Sequence, residues 1–256
     1  MAPLRVGQDR KWDTRGPPTR GGYAPQLSFP DLFMSPMSQS LSQAVPATRP
    51  SRQPGLVLFD LDDVLARYDR RLRLCELARR SGTTPAAVQA ALFDSGLEHE
   101  SDVGLWRPAE YADELSRRLG ARLSLEDCIA ARAVATPADP AMVALAGAVA
   151  RQAAVAIFTN NGPFLTLHLA RICPPLFPLF EGRVVGAGDV GIAKPSPEAY
   201  LRALALLDAT PAQTLFIDDR DENVSGARAA GLDALGFTSA ATLRRALALY
   251  GLETGA

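Results

Sequence analysis

Gly55-Leu56-Val57-Leu58-Phe59-Asp60-Leu61-Asp62 sets four apolar residues directly against two acids. A run of this kind lacks the alternation of a half-solvated strand and reads as a strand buried on both faces of a parallel sheet. The pattern returns in Val155-Ala156-Ile157-Phe158, ending in Thr159-Asn160, and in Thr214-Leu215-Phe216-Ile217, ending in Asp218-Asp219. Arg183–Gly186 and Ala234–Phe237 are weaker candidates for further strands.

Helices with legible ends separate these runs. Asp139 and Ser196 each precede a proline, the arrangement of an N-cap followed by Pro at the first helical position. Gly231 ends the helix that starts near Glu222, and Ala240–Tyr250 closes the chain. Strands alternating with helices predict an α/β fold with a doubly wound parallel sheet. Between Ala66 and Asp139 the signals are helical only: Thr84-Pro85 to Phe93, Arg107-Pro108 to Gly120, and Ser124 to Val134. Residues 55–65 and 140–256 therefore read as the core, and 66–139 as a small helical domain inserted after the first strand.

Composition narrows the function classes. The net charge of −1 gives no case for nucleic acid or a membrane surface as partner, and no apolar run is long enough to span a bilayer. Cys75, Cys128 and Cys173 are widely spaced and show no CxxC pairing, which fits thiols in a reducing, cytoplasmic setting. Residues 1–54 hold seven Lys/Arg against three Asp, together with nine of the 20 prolines, and read as a disordered or weakly ordered tail. A transit peptide is the competing reading, against which the acids and prolines count; a start at Met34 or Met37 is a third.

The polar residues gather just after the strands, where open α/β sheets bind ligands. Asp60 and Asp62 alternate to one side of an extended chain and can divide the work of nucleophile and proton donor. Alone, the pair reads better as solvated acids at a strand-to-turn junction. Asp218-Asp219 would join Asp60 in an oxygen-lined site of the kind Mg²⁺ prefers. Thr159-Asn160 offers a hydroxyl, an amide and backbone N–H groups; with Asn161-Gly162 it also fits a simple Asx turn. Lys194 is one of only two lysines, with Lys11, among 27 Lys+Arg. Its retention in an arginine-using chain hints at a need for a compact ammonium.

Together these elements resemble the haloacid dehalogenase superfamily. The matches are Phe59-Asp60-Leu61-Asp62-Asp63-Val64-Leu65, Val155–Asn160, Lys194-Pro195 with the following helix start, and Ile217-Asp218-Asp219-Arg220-Asp221-Glu222-Asn223. The insert after the first motif resembles the superfamily's helical C1 cap. Gly104–Tyr111 and Thr159-Asn160-Asn161 resemble the branch that includes glucose-1-phosphate phosphatases.

The resemblance implies a Mg²⁺-dependent phosphatase of small phosphate monoesters working through an aspartyl-phosphate. Asp60 would be nucleophile and metal ligand. Asp62 would be the acid and base, with its backbone carbonyl on the metal. Thr159, Asn160 and Lys194 would hold the phosphoryl group, Asp218 and Asp219 would complete the metal site, and Asn223 would support them. A sugar phosphomutase shares every one of these residues, and a non-catalytic phospho-ligand binder or scaffold is the third reading. A dehalogenase does not need Asp62 or the Asp218-Asp219 pair. Asp63 stands where many members have Gly, and alternation turns it away from Asp62. Arg67, Arg70, Arg71 and Arg73 read as the solvated face of a helix, and Trp106 and Tyr111 as helix-packing aromatics.

Overall fold

The computed structural model describes residues 53–255; the Pro/Arg-rich segment and both alternative starts lie outside them, save its last two residues. Five parallel strands form one sheet: β1 (Leu56–Phe59), β2 (Ala154–Thr159), β3 (Val184–Gly186), β4 (Thr214–Asp218) and β5 (Asp233–Gly236). Their order is β3-β2-β1-β4-β5, so the chain winds outward from β1 first on one side and then on the other. All four residues of β1 are buried, because helices cover both faces of the sheet. The switch in winding direction lies beside β1, where a crevice opens at the carboxyl ends of the strands.

Register decides what meets there. Phe59 pairs with Ile157 on one side and Ile217 on the other. The next residues, Asp60, Phe158 and Asp218, are thereby side by side, and the Asp60 amide still bonds to the Ile217 carbonyl at 2.9 Å.

The segment between β1 and β2 is helical, as its sequence predicts: α1 (Arg70–Ser81), α2 (Pro85–Gln89), α3 (Leu97–Asp102), α4 (Pro108–Leu119), α5 (Leu125–Val134) and α6 (Pro140–Val149). α1 is the helix expected to carry the arginine cluster, α3 is an addition, and α2 is shorter than expected, passing into a π-helical turn over Ala90–Asp94. Two chain crossings join α1–α5 to the sheet. They run antiparallel, with Arg67 N bonded to Pro137 O at 3.0 Å, Asp69 N to Ala135 O at 2.9 Å, and Asp139 N to Leu65 O at 2.9 Å. Asp139 caps α6 as expected, accepting from Ala141 N and Met142 N.

After β2 come the short α7 (Pro163–Thr166), α8 (Leu169–Ile172) and α9 (Ala187–Val190), then α10 (Pro197–Leu206), α11 (Asp221–Ala229) and α12 (Ala240–Leu249). Ser196 occupies the N-cap position of α10, yet its side chain makes no capping bond, which corrects the capping role expected for it. Among the described residues no helix is long and apolar enough to cross a membrane, and all three cysteines are free thiols.

Candidate active site

Lys194 is the centre of the strand-end cluster. Its ammonium bonds to Asp60 Oδ1 at 2.9 Å, Asp218 Oδ2 at 2.7 Å and the Phe158 carbonyl at 3.0 Å, with 4% of the residue exposed. A buried cation on three oxygen acceptors is fully satisfied, which an unpaired lysine at that depth would not be. Asn160 fixes the lysine's backbone: its Oδ1 accepts from Lys194 N at 2.8 Å and its Nδ2 donates to Lys194 O at 3.0 Å. The amide of Asn160, expected on a phosphoryl group, is thus turned to its own chain.

Asp60 is 7% exposed, and its Oδ1 also accepts from Leu61 N at 2.7 Å. Burial raises its pKa to about 7; the nearby Lys194 opposes this and the Asp218 charge adds to it. Asp218 is fully buried and held on every side. Asn223 Nδ2 donates to both of its oxygens at 3.0 Å, and Arg220 N donates to Oδ1 at 2.9 Å. Asn223 is itself fixed by Tyr200, whose hydroxyl donates to the Asn223 carbonyl at 2.7 Å. Asp219 is exposed, with its pKa raised first by partial desolvation and then by Asp218.

One carboxylate oxygen from each of Asp60, Asp218 and Asp219 lies within 4.8 Å of the others. An all-oxygen donor set with excess negative charge fits a hard divalent cation, which would offset the repulsion among them. The Asp62 side chain is not in this group. Both of its oxygens accept from Arg132 Nη2, each at 2.8 Å, and Oδ2 accepts from Asn161 Nδ2 at 3.0 Å. Chain direction accounts for this: the backbone turns tightly after Asp60, with Leu65 N and Ala66 N both bonded to Leu61 O at 3.0 Å.

Asp63, at φ +61°, takes the left-handed conformation that favours Gly, and its exposed carboxylate caps Tyr68 N at 3.2 Å. Thr159 is buried, and its hydroxyl oxygen accepts from Asn161 Nδ2 at 2.6 Å.

Two residues escaped the sequence reading. Arg132, from α5, is 2% exposed, lies 3.9 Å over the Tyr68 ring and reaches Asn161 Oδ1 at 3.3 Å as well as Asp62. Asn161, read as part of a turn, links Arg132, Asp62 and Thr159. The solvated reading also fails for Arg73, which is 2% exposed, ion-paired with Glu98 and bonded to Tyr111 at 2.8 Å. Burial alone would lower the acidity gap of such a pair, but Glu98 and Arg73 hold each other charged. Arg67 does lie in solvent, while Arg70 covers the Phe93 ring at 3.6 Å. Tyr111 packs as expected, stacked on Phe164 at 4.9 Å.

The end of α3 lies against the loop that follows β2. A Cβ on Gly162 would come within 1.9 Å of Ser101 O, so only glycine lets the strand-end loop approach this closely.

A family model described as haloacid dehalogenase-like hydrolase matches residues 54–231. A sesquiterpene phosphatase of Aspergillus oryzae is 32% identical over 100 residues, which cover 39% of this chain and 50% of that protein. The phosphatase MT3486 of Mycobacterium tuberculosis is 29% identical over 192 residues, 70% of this chain and 84% of that one. The chain spans about half or less of the length of the first curated relatives it matches. Among solved structures, a HAD family enzyme from Bacteroides thetaiotaomicron, in complex with magnesium and inorganic phosphate, superposes with a TM-score of 0.61. That match has 20% identity over 72% of this chain and 94% of the other, and speaks to the fold.

Proposed function

Because this chain belongs to the haloacid dehalogenase-like hydrolase family, we propose that it is a Mg²⁺-dependent phosphatase of small phosphate monoesters. The observation that carries the reading is the Lys194 ammonium lodged between Asp60 and Asp218 at adjoining strand ends. Such a bridge holds one Asp60 oxygen in place and leaves the other for chemistry.

Asp60 is the nucleophile. Its free oxygen forms a bond to phosphorus as the ester P–O bond breaks, the electron pair passing to the leaving oxygen and yielding an aspartyl-phosphate. Asp62 gives its proton to that leaving oxygen, then takes one from the water that hydrolyses the intermediate. Lys194, Thr159 and the backbone N–H groups after β2 offset charge on the phosphoryl oxygens. Asp60 and Asp219, with Asp218 behind them and the Asp62 carbonyl, would hold Mg²⁺, which when bound supplies Lewis-acid polarisation of the phosphoryl group. Asn223 and Asn160 keep Asp218 and Lys194 in position.

Helices α1–α5 serve as a C1-type cap over the site. Sugar phosphates come first among substrates, on the similarity of Gly104–Tyr111 and Thr159–Asn161 to the glucose-1-phosphate phosphatase branch. The reaction would run in a cytoplasmic setting, in keeping with three free thiols.

Incubation with p-nitrophenyl phosphate and a panel of sugar phosphates, with Mg²⁺ and with EDTA, tests the reading. Mg²⁺-dependent phosphate release is expected, abolished in a folded Asp60→Asn variant. No release from any substrate sinks the phosphatase; recovery of an isomerised sugar phosphate in place of free phosphate makes it a mutase.

A further inference from the structure

Arg132 sits on α5, a helix of the insert between β1 and β2, yet its guanidinium reaches the strand ends. It is 2% exposed, its face rests on Tyr68, and Nη2 alone carries the bonds to both Asp62 oxygens and to Asn161. Asn161 passes the connection on to Thr159. A surface arginine would leave such contacts to solvent; a buried one fixes the orientation of whatever it binds.

We propose that Arg132 is a positioning residue that aims Asp62 at the leaving-group oxygen, so that seating of the helical insert aligns proton transfer. The proposal rests on the phosphatase reading above. Its geometry suits the step. Because one nitrogen holds both oxygens, one oxygen can release Arg132 and carry the proton while the other keeps its bond. The proton then moves to the leaving oxygen as the P–O bond breaks, and both Asp62 oxygens return to Arg132 Nη2.

Leaving groups separate this role from simple support of the fold. p-Nitrophenolate departs readily without a proton, whereas an alkoxide needs one. In Arg132→Met, kcat/KM, which reports the steps up to P–O cleavage and not the water step both esters share, should fall about 100-fold on an alkyl phosphate, the scale of a lost general acid. The fall on p-nitrophenyl phosphate should be at least about ten times smaller. Arg132→Lys, which keeps a buried charge but not the planar face that rests on Tyr68, should show the same preference more weakly, and it carries the test if the Met variant does not fold.

A cycle with Asp62→Asn supplies the second measurement. If Arg132 acts through Asp62, removing Arg132 in the Asp62→Asn background costs little further on the alkyl ester. Equal losses on the two esters, or a full additional loss in that background, overturn the proposal. An inactive wild type on both esters would instead overturn the phosphatase reading, and this proposal with it.

Discussion

Lys194 shows how much a single side chain can decide. Its ammonium touches Asp60, Asp218 and a strand carbonyl in a buried space, and Asn160 grips its backbone from both ends. Lys194→Arg keeps the charge but puts a broad planar fork where a point donor fits, and should lower phosphate release about 100- to 1,000-fold. Asn160→Ala removes two internal bonds, and urea unfolding should register about 1–3 kcal/mol of lost stability.

Asp60 carries a pH prediction. Burial, supported by Asp218 and opposed by Lys194, raises it to about 7, so below that pH a bound cation must displace its proton. Mg²⁺ affinity measured by calorimetry should weaken as pH falls through 7, approaching roughly tenfold per unit, and flatten above it. The strand-end residues were legible because acids following a buried apolar run have few alternatives. Arg132 was not, since its burial depends on Asp62, 70 residues earlier in the chain. Arg73 fails to announce itself for the same reason: in sequence it is one arginine of a cluster, and only Glu98 and Tyr111 bring it inside.

At the level of elements, α11 is placed by what it lacks. A Cβ on Gly226 would stand 2.1 Å from the Pro195 carbonyl oxygen, so the helix lies directly against the loop that carries Lys194. Gly in a helix ordinarily costs about 1 kcal/mol relative to Ala, and replacement would normally stabilise. Gly226→Ala should do the reverse: a lower melting temperature, and a fall in kcat as the Lys194 loop is pushed away. Stability at or above wild type with full activity would show that the loop yields. The long strands and helices could be foreseen from apolar runs and caps. Four-residue α7, α8 and α9 could not, because one turn is too short to express a helical period. The left-handed turn at Asp63 was equally hidden, since alternation assumes an extended chain.

The molecule as a whole concentrates uncompensated negative charge at one edge of its sheet. Closing Asp60, Asp218 and Asp219 around a cation should therefore stabilise the entire fold. At Mg²⁺ a hundred times its dissociation constant the gain is about 2.7 kcal/mol, read as a raised melting temperature that Asp219→Asn largely loses. The doubly wound sheet follows from alternating strands and helices, whereas the depth to which α1–α5 reach into the strand ends rests on contacts between distant segments.

The scarcity of lysine has a last consequence. Lys194 is the sole lysine between residues 53 and 255, and only 4% of it is exposed. Acylating reagents, which modify amines, can take position 194 only once its ion pairs with Asp60 and Asp218 part. The rate of mass gain there reports opening of the strand-end site, one residue serving as its own clock.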